Sequence, residues 1–320
     1  MTLAKGLAVA LTAGAVLIGA GCGGSDPETL PPPNEHKAEI AKAERELRAE
    51  RRKAERRAER AKQAGTITAG SGIDGLLATL PGRAGLVVGR VGDGARLTAG
   101  DLAGGFAWST IKVPIAQRVL ADAGGPSGLT VDQVSQITAA LTLSDNDAAA
   151  ALFSGLQTTH GGVTGASEAV GGMLREAGDA QTVISTEGRD SFSTYGQTEW
   201  SLDEQNRYMA ALAGQCLGDR ASTGYLLEQM SNVSSDTWGL GSTGIPAKWK
   251  GGWGPGLDGR YLVRQMGVAE TSGGRMVITL AAIPDDGTFE TGQAMATEIA
   301  SWAVENLAGA PELRGTGGCP

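Results

Sequence analysis

Histidine is almost missing from this chain of 320 residues, which holds only His36 and His160. A Ser-His-Asp triad would have to use His160, and no G-x-S-x-G elbow accompanies it. No H-E-x-x-H occurs, and the three cysteines, Cys22, Cys216 and Cys319, are too scattered to build a zinc cluster. Cys216 and Cys319 either pair, as export would allow, or stay reduced; sequence leaves both open. A G-x-x-x-x-G-K-[ST] phosphate loop is absent as well. The stretch from Gly65 to Pro320 carries 15 basic against 26 acidic residues, so no nucleic-acid partner is expected. Glycine is plentiful, 50 in all, but without a fixed period, which excludes collagen and solenoid repeats. The longest apolar run, Gly6 to Ala20, is too short to span a bilayer as a helix.

What remains points to serine chemistry assisted by lysine. Ser109-Thr110-Ile111-Lys112 opens an apolar-periodic stretch, and the spacing of three puts hydroxyl and amine on one helix face. A free serine is a weak nucleophile, and a buried lysine of lowered pKa can take its proton. The other reading of Lys112 is a charged group that only organises the site. Ser144-Asp145-Asn146 follows an apolar helical pattern, Val131 to Leu143, and Lys250-Gly251-Gly252 lies in Ile245 to Trp253, a strand ending in glycines. Ser144 is placed to relay a proton to a leaving nitrogen, with Lys250 lowering the cost of that transfer. Asn146 is a partner for Lys112 or for a substrate amide. Each piece also has a plain structural reading: Ser109 as a helix N-cap, Ser144 to Asn146 as a cap for the next helix, Lys250 as a surface lysine. Strand alternation places Lys250 and Gly252 on one face and Trp249 and Trp253 on the other, which favours Trp249 as a core residue.

In this order the three pieces resemble the S-x-x-K, S-D-N and K-T-G set of class A β-lactamases and penicillin-binding proteins. The resemblance covers about residues 66 to 308. It implies an α+β, β-lactamase-like fold: an antiparallel five-stranded sheet flanked by terminal helices, plus an all-helical subdomain. It also implies an acyl-enzyme on Ser109, with Lys112 as base. The oxyanion would lie between the N–H groups of Ser109 and Trp253, with Gly252 and Lys250 lining the substrate site. The substrate would be a β-lactam or a peptidoglycan-related acyl-D-Ala amide, and no cofactor or metal is called for. A D-alanyl peptidase, an esterase, or a non-catalytic envelope protein keeping the fold are the alternatives.

Three departures stand beside the matches. Gly251 replaces the usual Thr or Ser, whose hydroxyl commonly helps bind a substrate carboxylate. The interval of 35 residues from Ser109 to Ser144 is shorter than in typical class A enzymes. After Gly178-Asp179, Glu187 falls near the place of the deacylating glutamate, but no Asn follows it. Glu187 is therefore either that base or an ordinary loop carboxylate.

The N-terminus carries Lys5, the apolar run, and then Leu17-Ile18-Gly19-Ala20-Gly21-Cys22. This looks like a bacterial lipoprotein signal over residues 1 to 21, with Cys22 as the lipidated residue and Gly19 an imperfect match. Ordinary secretory cleavage and an uncleaved anchor are the other readings. Lipidation implies an exported protein held at the outer face of the cytoplasmic membrane. Residues 22 to 34 read as a Pro/Gly linker. Residues 35 to 64 read as a charged helical stalk, with 11 Lys and Arg against 7 Glu between Glu35 and Lys62. Pairs such as Glu55 with Arg51 and Arg52 support an exposed helix, by about 0.2–0.5 kcal/mol each. Holding the domain off a membrane is one role for this stalk, and contact with a polyanion is the other.

Residues 65 to 320 then form the folded domain. A helix is expected over Ile73 to Leu80, and strands over Ala84 to Val91 and Ala95 to Ala99. A helical middle runs from Thr110 to about Leu227. Strands return at Ile245 to Trp253, Arg260 to Ala269 and Arg275 to Ile283, the last two as a half-buried meander, and a helix from Glu290 to Leu307 ends the pattern.

Overall fold

The computed structural model describes residues 72–91 and 96–310, together with Arg45, Leu313 and Cys319. Cys22, the leader, the linker and nearly all of the stalk lie outside the described residues.

The sheet is written by its alternation. Strands β1 (Gly82–Arg90), β2 (Arg96–Gly100), β5 (Ala247–Pro255), β6 (Tyr261–Thr271) and β7 (Gly274–Pro284) pair antiparallel in the order β2-β1-β7-β6-β5. Ala84, Leu86 and Val88 of β1 and Met276, Ile278, Leu280 and Ala282 of β7 share one face. Against that face pack helix α1 (Ile73–Thr79), through Leu76 and Leu77, and the C-terminal helix α8 (Phe289–Asn306), through Met295, Ile299 and Ala303. The opposite face presents Met266, Val268 and Val277 to the helical layer. The expected half-buried meander is thus corrected. Both faces are covered, and β6 is buried at eight consecutive positions, Leu262 to Ala269.

The helical layer comprises α2 (Lys112–Asp122), α3 (Val131–Thr142), α4 (Asn146–His160), α5 (Gly162–Glu176), α6 (Leu202–Ala213) and α7 (Arg220–Ser231). Its starts follow local chemistry. Thr130 and Gln133 form a capping box for α3, and Asp145 caps α4 by accepting from the Ala148 N–H at 2.7 Å. Cys216 and Cys319 are disulfide-bonded, joining the chain just after α6 to its C-terminal end.

A small two-stranded ribbon, formed by segments far apart in sequence, shows no periodicity because each strand has only three residues. β3 (Gly104–Phe106) pairs antiparallel with β4 (Glu199–Ser201). Arg264, fully buried in β6, ties it to the sheet by donating to the carbonyls of Gly105, Phe106 and Trp200 and to Gln205 Oε1, at 2.7–3.1 Å. Burial lowers its pKa to about 9, which leaves it charged at neutral pH. Arg264→Ala would strand several buried acceptors. We expect it to lower the unfolding free energy by about 3 kcal/mol or more, read from urea melts.

Candidate active site

A glycine-rich entry lets the backbone turn sharply into the first motif. Residues Trp108–Ile111 form a single 3-10 turn leading directly into α2 at Lys112. In such a turn positions three apart eclipse, and the Lys112 backbone N–H donates to the Ser109 carbonyl, closing that pair. Ser109 is therefore inside the turn, and no side-chain cap is formed there; the N-cap reading does not hold. Trp108, just before it, takes the left-handed φ of 49°, rare for a bulky residue. Its indole is wedged edge-on between Phe106 and Phe192, with ring centroids 6.2 and 5.0 Å away.

The second motif sits on the short connection between α3 and α4. Ser144 has φ 58°, a second left-handed residue, which turns its carbonyl and side chain to different lysines. Lys112 Nζ donates to Ser144 O at 2.7 Å, Asp145 O at 3.1 Å and Asn146 Oδ1 at 2.7 Å. Lys250 Nζ donates to Ser144 Oγ at 2.8 Å, Asp236 Oδ2 at 2.9 Å and the Gly251 carbonyl at 2.9 Å. Asp145 caps α4 at the same time, so this tripeptide both starts that helix and binds the two lysines.

Burial governs the electrostatics. It lowers the Lys112 pKa to about 7, helped by the nearby Lys250 charge and opposed by Asp236 and Asp145. Burial lowers Lys250 too, with Asp236 pulling the other way. The fully buried Lys250 is no surface lysine.

The third motif brings β5 against the turn that carries Ser109. A Cβ on Gly252 would come within 2.9 Å of the Ala107 carbonyl oxygen and of the Ser109 nitrogen, so only glycine permits this approach. Gly254 likewise makes room for the Trp108 ring. Gly251, the departure from the resembled pattern, has its own physical reason. A Cβ there would meet the Asp236 side chain at 2.8 Å, so the aspartate occupies the space a Thr or Ser would need.

These elements line one cleft of about 630 Å³, bordered by Ser109, Lys112, Ser144, Asn146, Asp236 and Trp253. Trp249 lies on the other face of β5 from Lys250, packed into the sheet core and donating its indole N–H to the Asp236 carbonyl. Trp253 is 42% exposed and stands beside Tyr261 and Phe289, making an aromatic wall.

Two sequence candidates are elsewhere. Glu187, by sequence either a deacylating base or an ordinary loop carboxylate, is exposed on its loop and is not among the described residues lining the cleft. Its loop closes on itself through Ser185 Oγ donating to the Glu187 carbonyl at 2.9 Å. His160 pairs with Asp122 at 2.7 Å and lies outside the cleft lining, removing the histidine triad. Sequence reasoning missed Asp236. Its one forewarning is Gly251, a position made empty by a neighbour remote in sequence.

No family model matches the sequence, and no curated protein does. Solved structures do match the fold. TLA-3 extended-spectrum β-lactamase superposes with a TM-score of 0.59 at 16% identity, over 74% of this chain and all of that one. A mutant of the class A β-lactamase of the last common ancestor of Gram-negative bacteria gives 0.56 at 21%, over 72% and 96%. This is the class A β-lactamase fold. The β-lactamase of Sphaerobacter thermophilus gives 0.55 at 17%, over 71% and 92%. At such identities the likeness carries architecture: the five-stranded sheet with terminal helices on one side, the helical layer on the other, and the cleft where they meet.

Proposed function

We propose that this protein is a serine hydrolase that forms an acyl-enzyme on Ser109 with β-lactams or related amides. The observation carrying this reading is the buried Lys112, with a pKa near 7, one 3-10 turn from Ser109 in an open cleft. In its free-base form Lys112 takes the Ser109 hydroxyl proton as Oγ attacks the substrate carbonyl carbon. The resulting oxyanion lies between the backbone N–H groups of Ser109 and Trp253, which the Gly252 approach draws together. As the tetrahedral species collapses, Ser144 passes its proton to the departing nitrogen and takes a replacement from Lys250, which donates to Ser144 Oγ at 2.8 Å, while Lys112 keeps the proton gained from Ser109. The acyl group then stays on Ser109 until water removes it.

That last step is slow in this account. Glu187 is outside the cleft, and the carboxylates lining it are Asp147 and Asp236, the latter bound to Lys250. Acylation without rapid release is penicillin-binding behaviour, and a D-alanyl peptidase or esterase on the same residues is the second reading. We further propose export with lipid attachment at Cys22, as the N-terminal pattern expects. Metabolic labelling with palmitate in a bacterial host, lost in Cys22→Ala, tests it.

Acylation should follow the Lys112 free base. Below a pKa of about 7 the amine is protonated, so the rate falls as pH drops and levels off above. Stopped-flow acylation at pH 8 should be about tenfold faster than at pH 6. A pH-independent rate over that range would mean a lysine that stays charged and only organises the site.

A further inference from the structure

Resting on the acyl-enzyme reading, a second question is what charge the cleft accepts. Among the described residues, Lys112, Asp236 and Asp147 line it, and no arginine does. An ammonium group has three protons, and Lys250 has all three engaged, while Lys112 as a free base carries no charge and already faces three acceptors. Lys112 serves two carbonyls and Asn146, while Lys250 serves Ser144, Asp236 and Gly251. Lys250 is moreover fully buried, and its charge is matched at 2.9 Å by Asp236. Gly251 leaves no hydroxyl to offer a substrate, because Asp236 fills that space. The rest of the cleft is lined by uncharged groups: the hydroxyls of Ser191, Ser193 and Ser235, and an aromatic wall of Trp253, Tyr261 and Phe289 with centroids 4.5–6.2 Å apart.

We propose that Asp236 sets the specificity of this cleft, neutralising Lys250 so that it selects uncharged acyl donors, esters or amides, over carboxylate-bearing ones. An anion bound here would lose water without gaining a free cation, and would lie near two carboxylates of like sign. An uncharged group loses little and gains the aromatic wall.

The test uses one ring system in two charge states. Intact mass spectrometry follows acylation of Ser109 by penicillin G and by its methyl ester. Native protein should react at least about tenfold faster with the ester. Asp236→Asn keeps a hydrogen-bond acceptor for Lys250 but removes the negative charge, and should reduce that ratio at least about tenfold. Both reagents share the same base, so a change in Lys112 basicity cancels in the ratio. Faster reaction of the free acid with native protein overturns the proposal, and this needs no variant, so it holds even if Asp236→Asn misfolds. A ratio unmoved in folded Asp236→Asn also overturns it. A fluorophosphonate ester, itself uncharged, separates the two layers of the argument. Ser109 labelled by it, with penicillin G matching or outrunning the methyl ester, rejects the specificity alone. Ser109 inert to all three reagents rejects the hydrolase reading and the specificity with it.

Discussion

Lys112→Ala should slow acylation of Ser109 by about 10²–10⁴-fold while leaving the fold intact, because general-base assistance is commonly worth that much. The measurement is the second-order labelling rate with circular dichroism alongside. Lys112 is the one ionisable side chain lining the cleft whose pKa is brought to about 7, chiefly by burial. Its partners Ser144 and Asn146 border an open cleft, so water can replace the missing ammonium group and the structural cost is modest. A loss that vanishes above pH 9 would point to hydroxide replacing the base. An unaltered rate at pH 8 would mean that Ser109 is activated otherwise.

Gly252→Ala is expected to cost about 10²–10³-fold in the same labelling rate. The added methyl group has no room. Its Cβ would be 2.9 Å from the Ala107 oxygen, 2.9 Å from the Ser109 nitrogen and 3.0 Å from the Thr110 nitrogen, all backbone atoms that cannot rotate away. Relief comes only by moving β5 off the 3-10 turn, which separates the N–H groups of Ser109 and Trp253 and weakens their hold on an oxyanion. Gly256→Ala is a control on the same approach to the β5–β6 turn, where the nearest atom is a carboxylate oxygen of Asp258 at 3.2 Å. It should retain near-native labelling. Comparable losses in both variants would remove the close-approach argument.

The sequence and the structure agree where the signal is local. The strand alternation of Met276, Ile278, Leu280 and Ala282 marks one sheet face, and the helix ending the pattern needs no tertiary information. The Ser109 to Lys112 spacing is legible because three residues are one eclipsed turn. What escaped depends on neighbours far along the chain. The β3–β4 pair joins segments with 92 residues between Phe106 and Glu199, and neither strand is long enough to show a period. Asp236 looks like any loop aspartate until β5 folds Lys250 against it. The position of Glu187 after Gly178-Asp179 is legible in the sequence, but which way its loop turns the carboxylate is not, and the structure exposes it. Burial of both faces of β6 likewise depends on the helical layer laid over it.

The proposed chemistry is that Ser109 acts as the nucleophile and that the acyl group it receives remains there. Intact mass of the protein incubated with a penicillin, followed over an hour beside Ser109→Ala, tests this most directly. The account predicts a single adduct of one penicillin, absent from Ser109→Ala and persisting for minutes or longer after excess reagent is removed. An adduct that forms equally on Ser109→Ala, or one that disappears within seconds as hydrolysed penicillin accumulates, would contradict it.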